Sequence, residues 1–157
     1  TTNAICDSFK KELLQAKHDF DTSSDTYKLA MYTSSATLGK STENYTTSNE
    51  VSSPSGYTAG GKALVNQGVK VSSSVAITDF ADLSFTGVTL TARGALIYNT
   101  TTAGGSSTTD AVAVLDFGGD KTATSDVPPP MSTTIDPVGS ATGSPAPIAA
   151  ATGSSMR

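Results

Sequence analysis

The sequence TLTARGALIYN at residues 89–99, followed by AVAVLDFGGDK at residues 111–121, decides the fold. Both runs are rich in apolar and β-branched residues, which is typical of strands in a sheet-based core. The residues between them are almost entirely Thr, Gly and Ser, and such side chains bury too little surface to order a segment by themselves. The pattern therefore predicts two core strands joined by an exposed loop.

Short strand patterns recur before this pair, without an intervening helical pattern. They cover residues 26–32, 62–71, 75–80 and 85–91, with a serine turn at 72–74 and an irregular point at Gly87. Residues 34–57 carry many hydroxyl side chains and predict a long surface excursion, with a short paired segment near residues 45–47. Strands at such intervals favour a mainly β fold, a single antiparallel β-sandwich or barrel-like domain.

The N-terminal region carries the one credible helix pattern. Within residues 4–17, Phe9 and Leu13 recur on one apolar face, and Thr2 or Asn3 can cap the first turn. Because a helix this short is not stable alone, it needs a packing partner. We expect it to cover one end of the sheet or to dock on another subunit. Phe9 and Leu13 are therefore candidate interface residues.

The C-terminal region changes composition at Val127. It is rich in proline and small residues, beginning with Pro128, Pro129 and Pro130. Proline removes a backbone donor and fixes φ, so an extended tail is expected, with short strand-like contacts at Ile135 or Ile148. The predicted organisation is a β domain over residues 1–126 and a tail over 127–157. The three prolines are further interface candidates, because such a tail would take its order from a neighbouring subunit.

Composition narrows the classes of function. The net charge of −4 and the scattered lysines argue against direct nucleic-acid binding. Apolar runs fall short of the ~20 residues of a membrane-spanning helix, and a signal peptide of the usual form is not expected at the start. The single cysteine, Cys6, precludes an intrachain disulfide and fits synthesis in a reducing cytoplasm.

Two short motifs resemble known sites, but their context favours structural interpretations. GYTAGGKA at residues 56–63 is close to a phosphate-binding loop, yet Ala63 replaces the hydroxyl residue, and a strand-like segment follows where a helix is needed. We interpret it as a glycine hinge before a strand. DFG at residues 116–118 lacks the other signatures of a kinase, and Gly118-Gly119-Asp120 is interpreted as a turn closing a strand.

Isolated charged residues support no reaction. The pairs Asp79/Asp82 and Asp116/Asp120 could bind calcium, but turn chemistry is the simpler explanation. His18 is the only histidine, so we expect it on the surface at a helix end, and a histidine metal site would need a second chain.

Two further residues have structural interpretations. Arg93 either faces outward or has an acidic partner. Cys6 is predicted to be a small core residue rather than a reactive thiol. We therefore expect no enzymatic activity and no cofactor.

The order of motifs resembles a known family. It runs CDSFKKELL, TYKLAMYTSSATL, YTTSNEV, GYTAGG, TDFAD, TARGALIYN and AVAVLDFGGDKTATS. This order is similar to small structural proteins of tailed bacteriophages and prophages, in which an N-terminal helix leads into a compact β domain. The similarity covers roughly residues 4–125, and none of its motifs is catalytic. The tail differs, since family members typically close with an apolar strand.

The resemblance implies a virion component made in the bacterial cytoplasm. Together with the small acidic β domain and the proline-rich tail, it predicts a capsid decoration protein on the phage head. Its partners would be the major capsid protein and further copies of itself. The alternatives are a tail or neck subunit, contacting tail proteins, and a carbohydrate-binding module that uses Tyr45 and Tyr57.

Overall fold

The computed structural model describes residues 1–22, 25–52, 56–101 and 108–124, together with the backbone of Ser132–Ile135. Within these residues the protein is mainly β, with one short helix and three antiparallel sheets. The elements in chain order are β1 (Ala4–Ile5), α1 (Asp7–Leu14), β2 (Tyr27–Tyr32), β3 (Lys62–Ala63), β4 (Asn66–Ser72), β5 (Val75–Phe80), β6 (Leu83–Thr86), β7 (Leu90–Asn99), β8 (Asp110–Ala123) and β9 (Ser132–Ile135).

The predicted pair of core strands is confirmed as β7 and β8. They run antiparallel, with Leu96 opposite Val114 and Asn99 opposite Asp110 at the far end. These two strands form the middle of a five-stranded sheet in the order β1-β8-β7-β2-β3. The sheet is open, with β1 and β3 at its edges, so a closed barrel is not formed by the described strands.

Strand β2 lies inside this sheet and is buried on both faces. Only Lys28 of its six residues is partly exposed, and the other five are buried. The reason is that residues 34–52 and 56–57 fold back onto the sheet, where Val51 donates its amide to the Met31 carbonyl at 2.9 Å and Tyr57 is buried. The predicted surface excursion is thus partly a layer of the core.

A short paired segment was expected near residues 45–47 of this excursion, and the structure has one at residues 44–45. Asn44 forms a bridge with Asp110, and Tyr45 donates its amide to the Thr109 carbonyl at 2.7 Å. The excursion therefore pairs with the end of β2, at Met31 and Tyr32, and with the start of β8, at Asp110.

The helix is shorter than the predicted residues 4–17. Ala4–Ile5 form β1 because their backbone pairs with the outer edge of β8. Cys6, rather than Thr2 or Asn3, then occupies the N-cap position of α1. A long-range strand contact has taken the residues that helical periodicity assigned to the first turn.

Two small sheets complete the fold. β4 and β5 form a hairpin around Ser73 and Ser74, whose φ values of 49° and 64° match a type I′ turn, so the serine turn is confirmed. The predicted strand over 62–71 is divided between β3 and β4. β6 pairs with β9, and Gly87, at φ 64°, separates β6 from β7 where a continuous irregular strand was expected.

Aromatic rings join β5 to the large sheet and β6 to the excursion that packs on that sheet. The ring centroids of Phe80 in β5 and Tyr27 in β2 are 5.6 Å apart, and those of Phe85 in β6 and Tyr57 are 5.9 Å apart. The strand β9 contains Ile135, which confirms a strand-like contact there. Pro128 to Pro130 and Ile148 lie outside the described residues.

Candidate functional site

The hairpin of β4 and β5 exposes valine side chains on both of its faces, and we call it the valine arm. Val69 and Val71 are 59% and 74% exposed on one face, and Val75 is 58% exposed on the other. In the sheet topology of the described strands, β4 and β5 pair only with each other. Isolated exposed apolar residues are ordinary, but Val69 and Val71 share one face of a narrow ribbon, and we treat that face as the candidate contact surface.

The base of the valine arm is fixed to the core. Phe80 is buried beside the stacked rings of Phe20 and Tyr27. The Asn66 side-chain amide donates to the Phe20 carbonyl at 2.9 Å, while its oxygen accepts the Gly68 amide at 2.9 Å. The arm is thus an exposed tip on an anchored base, which lowers the conformational cost of binding through the tip.

The sequence did not identify these valines as functional. The pattern VKVSSSVAI at residues 69–77 predicts two strands and a turn, and both form. Nothing in the pattern indicates that neither face of the outer hairpin is covered. Exposure depends on which strands pair with the five-stranded sheet, and that is set by distant residues.

Of the two residues predicted for a helix interface, one is buried and the other is exposed. Phe9 is buried in the chain's own core, where its ring contacts Phe20 at 5.8 Å between centroids. Leu13 is 46% exposed, and the neighbouring Leu14 is 91% exposed. A helix interface therefore depends on Leu13 and Leu14, and it stays a prediction together with the three tail prolines.

His18 lies in the core rather than on the surface, which corrects the prediction. The chain reverses after α1 through Ala16, at φ 55°, and carries the ring beneath the helix. The His18 side chain is fully buried, 5.0 Å from the Phe9 ring centroid, with Glu12 Oε2 2.8 Å from Nε2 and Asn99 Nδ2 3.0 Å from Nδ1. Both ring nitrogens have polar partners, so a buried imidazole is acceptable here.

The hydrogen bonds of Asn99 determine which ring nitrogen carries the proton. Its Oδ1 accepts the Thr101 amide at 2.8 Å, and its Nδ2 donates to the Asp25 carboxylate at 2.7 Å. The amide group facing His18 Nδ1 is therefore a donor, and Nδ1 must accept. Neutral His18 then carries its proton on Nε2 and donates it to Glu12.

Glu12, His18 and Asp110 form a compact group of potential metal ligands. One ligand atom from each lies within 4.8 Å of the others, and one chain supplies all three, contrary to the expectation that a second chain is needed. A metal on Nε2, however, would displace the proton that Glu12 accepts and leave one on Nδ1 facing the Asn99 donor. The hydrogen bonds thus favour a polar cluster that fixes the helix to the sheet.

The other candidate motifs also have structural explanations. Arg93 is paired: its Nε donates to Asp116 at 2.9 Å, and this contact lowers the pKa of the Asp116 carboxyl. Asp116 also accepts the Gly118 amide at 3.0 Å. The prediction of a turn closing the strand at Gly118-Gly119-Asp120 was wrong, because β8 continues through an irregular register to Ala123. Cys6 is buried, and burial is the main cause that raises the pKa of its thiol to about 11, which fits an unreactive core residue.

The glycine-rich loop before β3 confirms the interpretation of a hinge before a strand. Gly61 has φ 78°, and a cavity of about 250 Å³ lies beside it, lined partly by Lys62 and Phe85. The Lys62 ammonium donates to the Ser84 carbonyl at 2.6 Å and lies 5.6 Å from the Phe85 ring centroid. The loop is followed by strands β3 and β4 and not by a helix, so the phosphate-loop geometry does not form here.

The two tyrosines proposed for sugar binding are used inside the protein. Tyr57 is 3% exposed, and Tyr45 stacks on Tyr98 with ring centroids 4.6 Å apart. Both hydroxyls donate to the Glu50 carboxylate, at 2.6 and 2.7 Å. Tyr57 therefore offers no exposed ring for stacking on a sugar, and one face of Tyr45 is covered.

Comparison with protein-family models, curated proteins and solved structures finds no match. Among the described residues, no helix is long and apolar enough to cross a membrane.

Proposed function

We propose that this protein is a non-enzymatic structural component of a tailed-phage virion, acting as a capsid decoration protein on the head surface. The observation that carries the proposal is the valine arm, an exposed apolar tip on a fixed base. The exposed Leu13 and Leu14 on α1 provide a second apolar surface. The order of sequence motifs, which resembles phage structural proteins, supplies the virion context.

The arm suits a repeated, weak contact. Fully burying a valine side chain contributes about 1.5–3 kcal/mol, and the three arm valines already have part of their surface buried. The binding free energy of one arm would then be a few kcal/mol. A binding free energy of about 4 kcal/mol corresponds to a dissociation constant of about 1 mM. Binding at many sites of a capsid lattice would turn such contacts into stable attachment, particularly if neighbouring copies are linked.

We further infer that the small sheets stack on the five-stranded sheet as the second layer of a sandwich. The contacts of Phe80 with Tyr27 and of Phe85 with Tyr57 support this arrangement. It would present the arm from the edge of the second layer, away from the central strands.

Electron cryomicroscopy of intact particles, combined with quantitative mass spectrometry, tests the proposal. We expect density for this chain over the head, at a copy number in proportion to the capsid lattice. Roughly a dozen copies or fewer at a tail or neck ring would support the alternative of a ring or adaptor subunit. Absence of the chain from purified particles would overturn both.

A further inference from the structure

The cavity beside the glycine-rich loop lies between that loop and strand β6 and has a volume of about 250 Å³. The described residues that line it are Gly56, Thr58, Gly61, Lys62, Phe85 and Thr86. An engineered cavity of about 150 Å³ in another protein holds benzene. The cavity here therefore has room for one six-membered ring with its substituents.

The loop that forms one wall of the cavity is held at both ends. A Cβ atom on Gly56 would lie 2.8 Å from the Gly87 carbonyl oxygen, and one on Gly61 would overlap the Leu29 carbonyl. Both glycines thus pack directly against other backbone segments, and Tyr57 between them is buried. The wall is preformed, which lowers the conformational cost of binding a ligand.

The cavity carries one positive charge in a restrained position. Of the described residues that line it, Lys62 alone is charged. Its ammonium donates to the Ser84 carbonyl at 2.6 Å and lies 5.6 Å from the Phe85 ring centroid. An ammonium has three donors, and within the described part of the chain only Ser84 accepts from it. The cavity therefore favours an anionic ligand.

The backbone amides of the loop favour a carboxylate over a phosphate. A phosphate-binding loop directs several free amides at its anion. Here the Gly60 amide donates to Glu50 at 2.7 Å, and the Gly61 amide donates to the Thr58 carbonyl at 3.0 Å. The Lys62 ammonium balances one negative charge, which is the charge of a carboxylate, whereas a phosphate monoester carries about −1.5 to −2 at neutral pH.

Two threonines supply further polar groups. Thr58 and Thr86 line the cavity, and both residues are exposed. A threonine hydroxyl can both donate and accept, so it suits a ligand that carries hydroxyl groups. The Phe85 ring and the glycine backbone add apolar surface. One cation and two hydroxyls on a partly apolar wall are the few polar groups that orient a small ligand.

We propose that this cavity binds a sugar acid, a polyhydroxylated six-membered ring with one carboxylate. The Lys62 ammonium binds the carboxylate, and the hydroxyls of Thr58 and Thr86 bind ring hydroxyls. The site is separate from Tyr45 and Tyr57, whose rings pack inside the protein. It does not involve the valine arm and goes beyond the proposed structural role.

NMR titration of the full-length chain tests the site. D-glucuronate is the probe, and glucose is its matched control, because glucose keeps the ring and the hydroxyls but lacks the carboxylate. We expect saturable shifts of the amides of residues 56–62 and 85–86 at millimolar glucuronate, and at least tenfold weaker binding of glucose. Shifts that do not saturate at tens of millimolar, equal affinity for both sugars, or tighter binding of inorganic phosphate would overturn the proposal.

Variants assign the charge to one residue. Lys62→Gln keeps a donor for the Ser84 carbonyl but removes the charge, so the affinity for glucuronate should fall at least tenfold. Lys70→Gln is the matched control, because Lys70 is an exposed lysine on the valine arm, and its affinity should stay within twofold of wild type. An equal loss in both variants would show a general effect of charge and would contradict the site.

A third variant guards against misfolding of Lys62→Gln. Thr58→Val changes an exposed side chain and leaves the Thr58 carbonyl that accepts the Gly61 amide. It should weaken glucuronate several-fold with an unchanged circular dichroism spectrum, and wild-type affinity in this variant would exclude the assigned hydroxyl contact. These measurements use free protein, so their failure is separate from absence of the chain from phage heads.

Discussion

Tyr57 donates its hydroxyl proton to Glu50 at 2.6 Å and accepts the Met31 amide at 2.9 Å. Burial, followed by the bond to Glu50, raises the pKa of Tyr57, so the hydroxyl stays protonated and remains a donor. Glu50 also accepts the Gly60 amide at 2.7 Å. This buried relay ties the long excursion and the glycine-rich loop to the central strand β2.

Removing the Tyr57 hydroxyl should destabilise the fold more than removing the Tyr45 hydroxyl. Tyr57→Phe leaves the buried Met31 amide without its acceptor and takes one donor from Glu50, so we expect a loss of about 2–3 kcal/mol in the free energy of unfolding. Tyr45→Phe removes only one bond to Glu50 and should cost about 1 kcal/mol. Urea unfolding followed by circular dichroism measures both, and equal losses would contradict the relay.

Gly61 is required for the close approach of two backbone segments. A Cβ atom at this position would lie 1.9 Å from the Leu29 carbonyl oxygen, and φ is 78°. Gly61→Ala should therefore cost roughly 4 kcal/mol or more, or abolish soluble expression. Gly118→Ala is the control, since it shares a positive φ, 74°, but meets open space, and it should cost only about 1–2 kcal/mol. Similar losses in both variants would show that φ alone matters.

The Arg93–Asp116 pair predicts a dependence of stability on acidic pH. The hydrogen bond from Arg93 lowers the pKa of Asp116 in the folded chain, below the value of about 3.9 in an unfolded one. Its stabilisation is therefore complete above about pH 4 and is lost as the pH falls through the folded pKa. The urea midpoint of Asp116→Asn should approach that of wild type between about pH 4 and 2.

Glu43→Gln is the control for this titration, because the Glu43 side chain is exposed. Its contact with the sheet is a backbone hydrogen bond, in which its carbonyl accepts the Ala111 amide. Glu43→Gln should leave the urea midpoint close to that of wild type, because exposed charges contribute little to stability. A constant difference between Asp116→Asn and wild type would show that the charge pair does not contribute.

The hydrogen bonds around His18 make Nε2 the donor and Nδ1 the acceptor of its ring. Asn99 donates to Nδ1, and Glu12 accepts from Nε2, so the arrangement has no lone pair directed at a metal. Nitrogen-15 NMR at neutral pH should show a protonated Nε2, and equimolar Zn²⁺ should leave the thermal midpoint unchanged. A saturable rise in midpoint with Zn²⁺ that His18→Gln abolishes would contradict this assignment.

Local patterns predicted the central fold well, because alternating or continuous apolar runs are sufficient to identify β7, β8 and the β4–β5 turn. They failed where distant residues decide. Ala4–Ile5 have helical periodicity, yet β8 supplies a strand edge to them. His18 is polar and follows a helix, but Asn99, 81 residues away, satisfies it inside the core.

The valine arm should contribute to attachment without contributing to folding. Val69→Thr with Val71→Thr keeps the β-branched shape and changes exposed side chains, so the free energy of unfolding should stay within about 0.5 kcal/mol of wild type. The same change in the core, Val114→Thr, buries a hydroxyl at a site that is 1% exposed and should cost about 1–3 kcal/mol.

Each valine contact is repeated over the lattice, so the arm variant should lose at least tenfold in apparent affinity for phage heads lacking the protein, measured by co-sedimentation. Attachment equal to wild type, in a double variant of unchanged stability, would exclude this face of the arm as the contact surface.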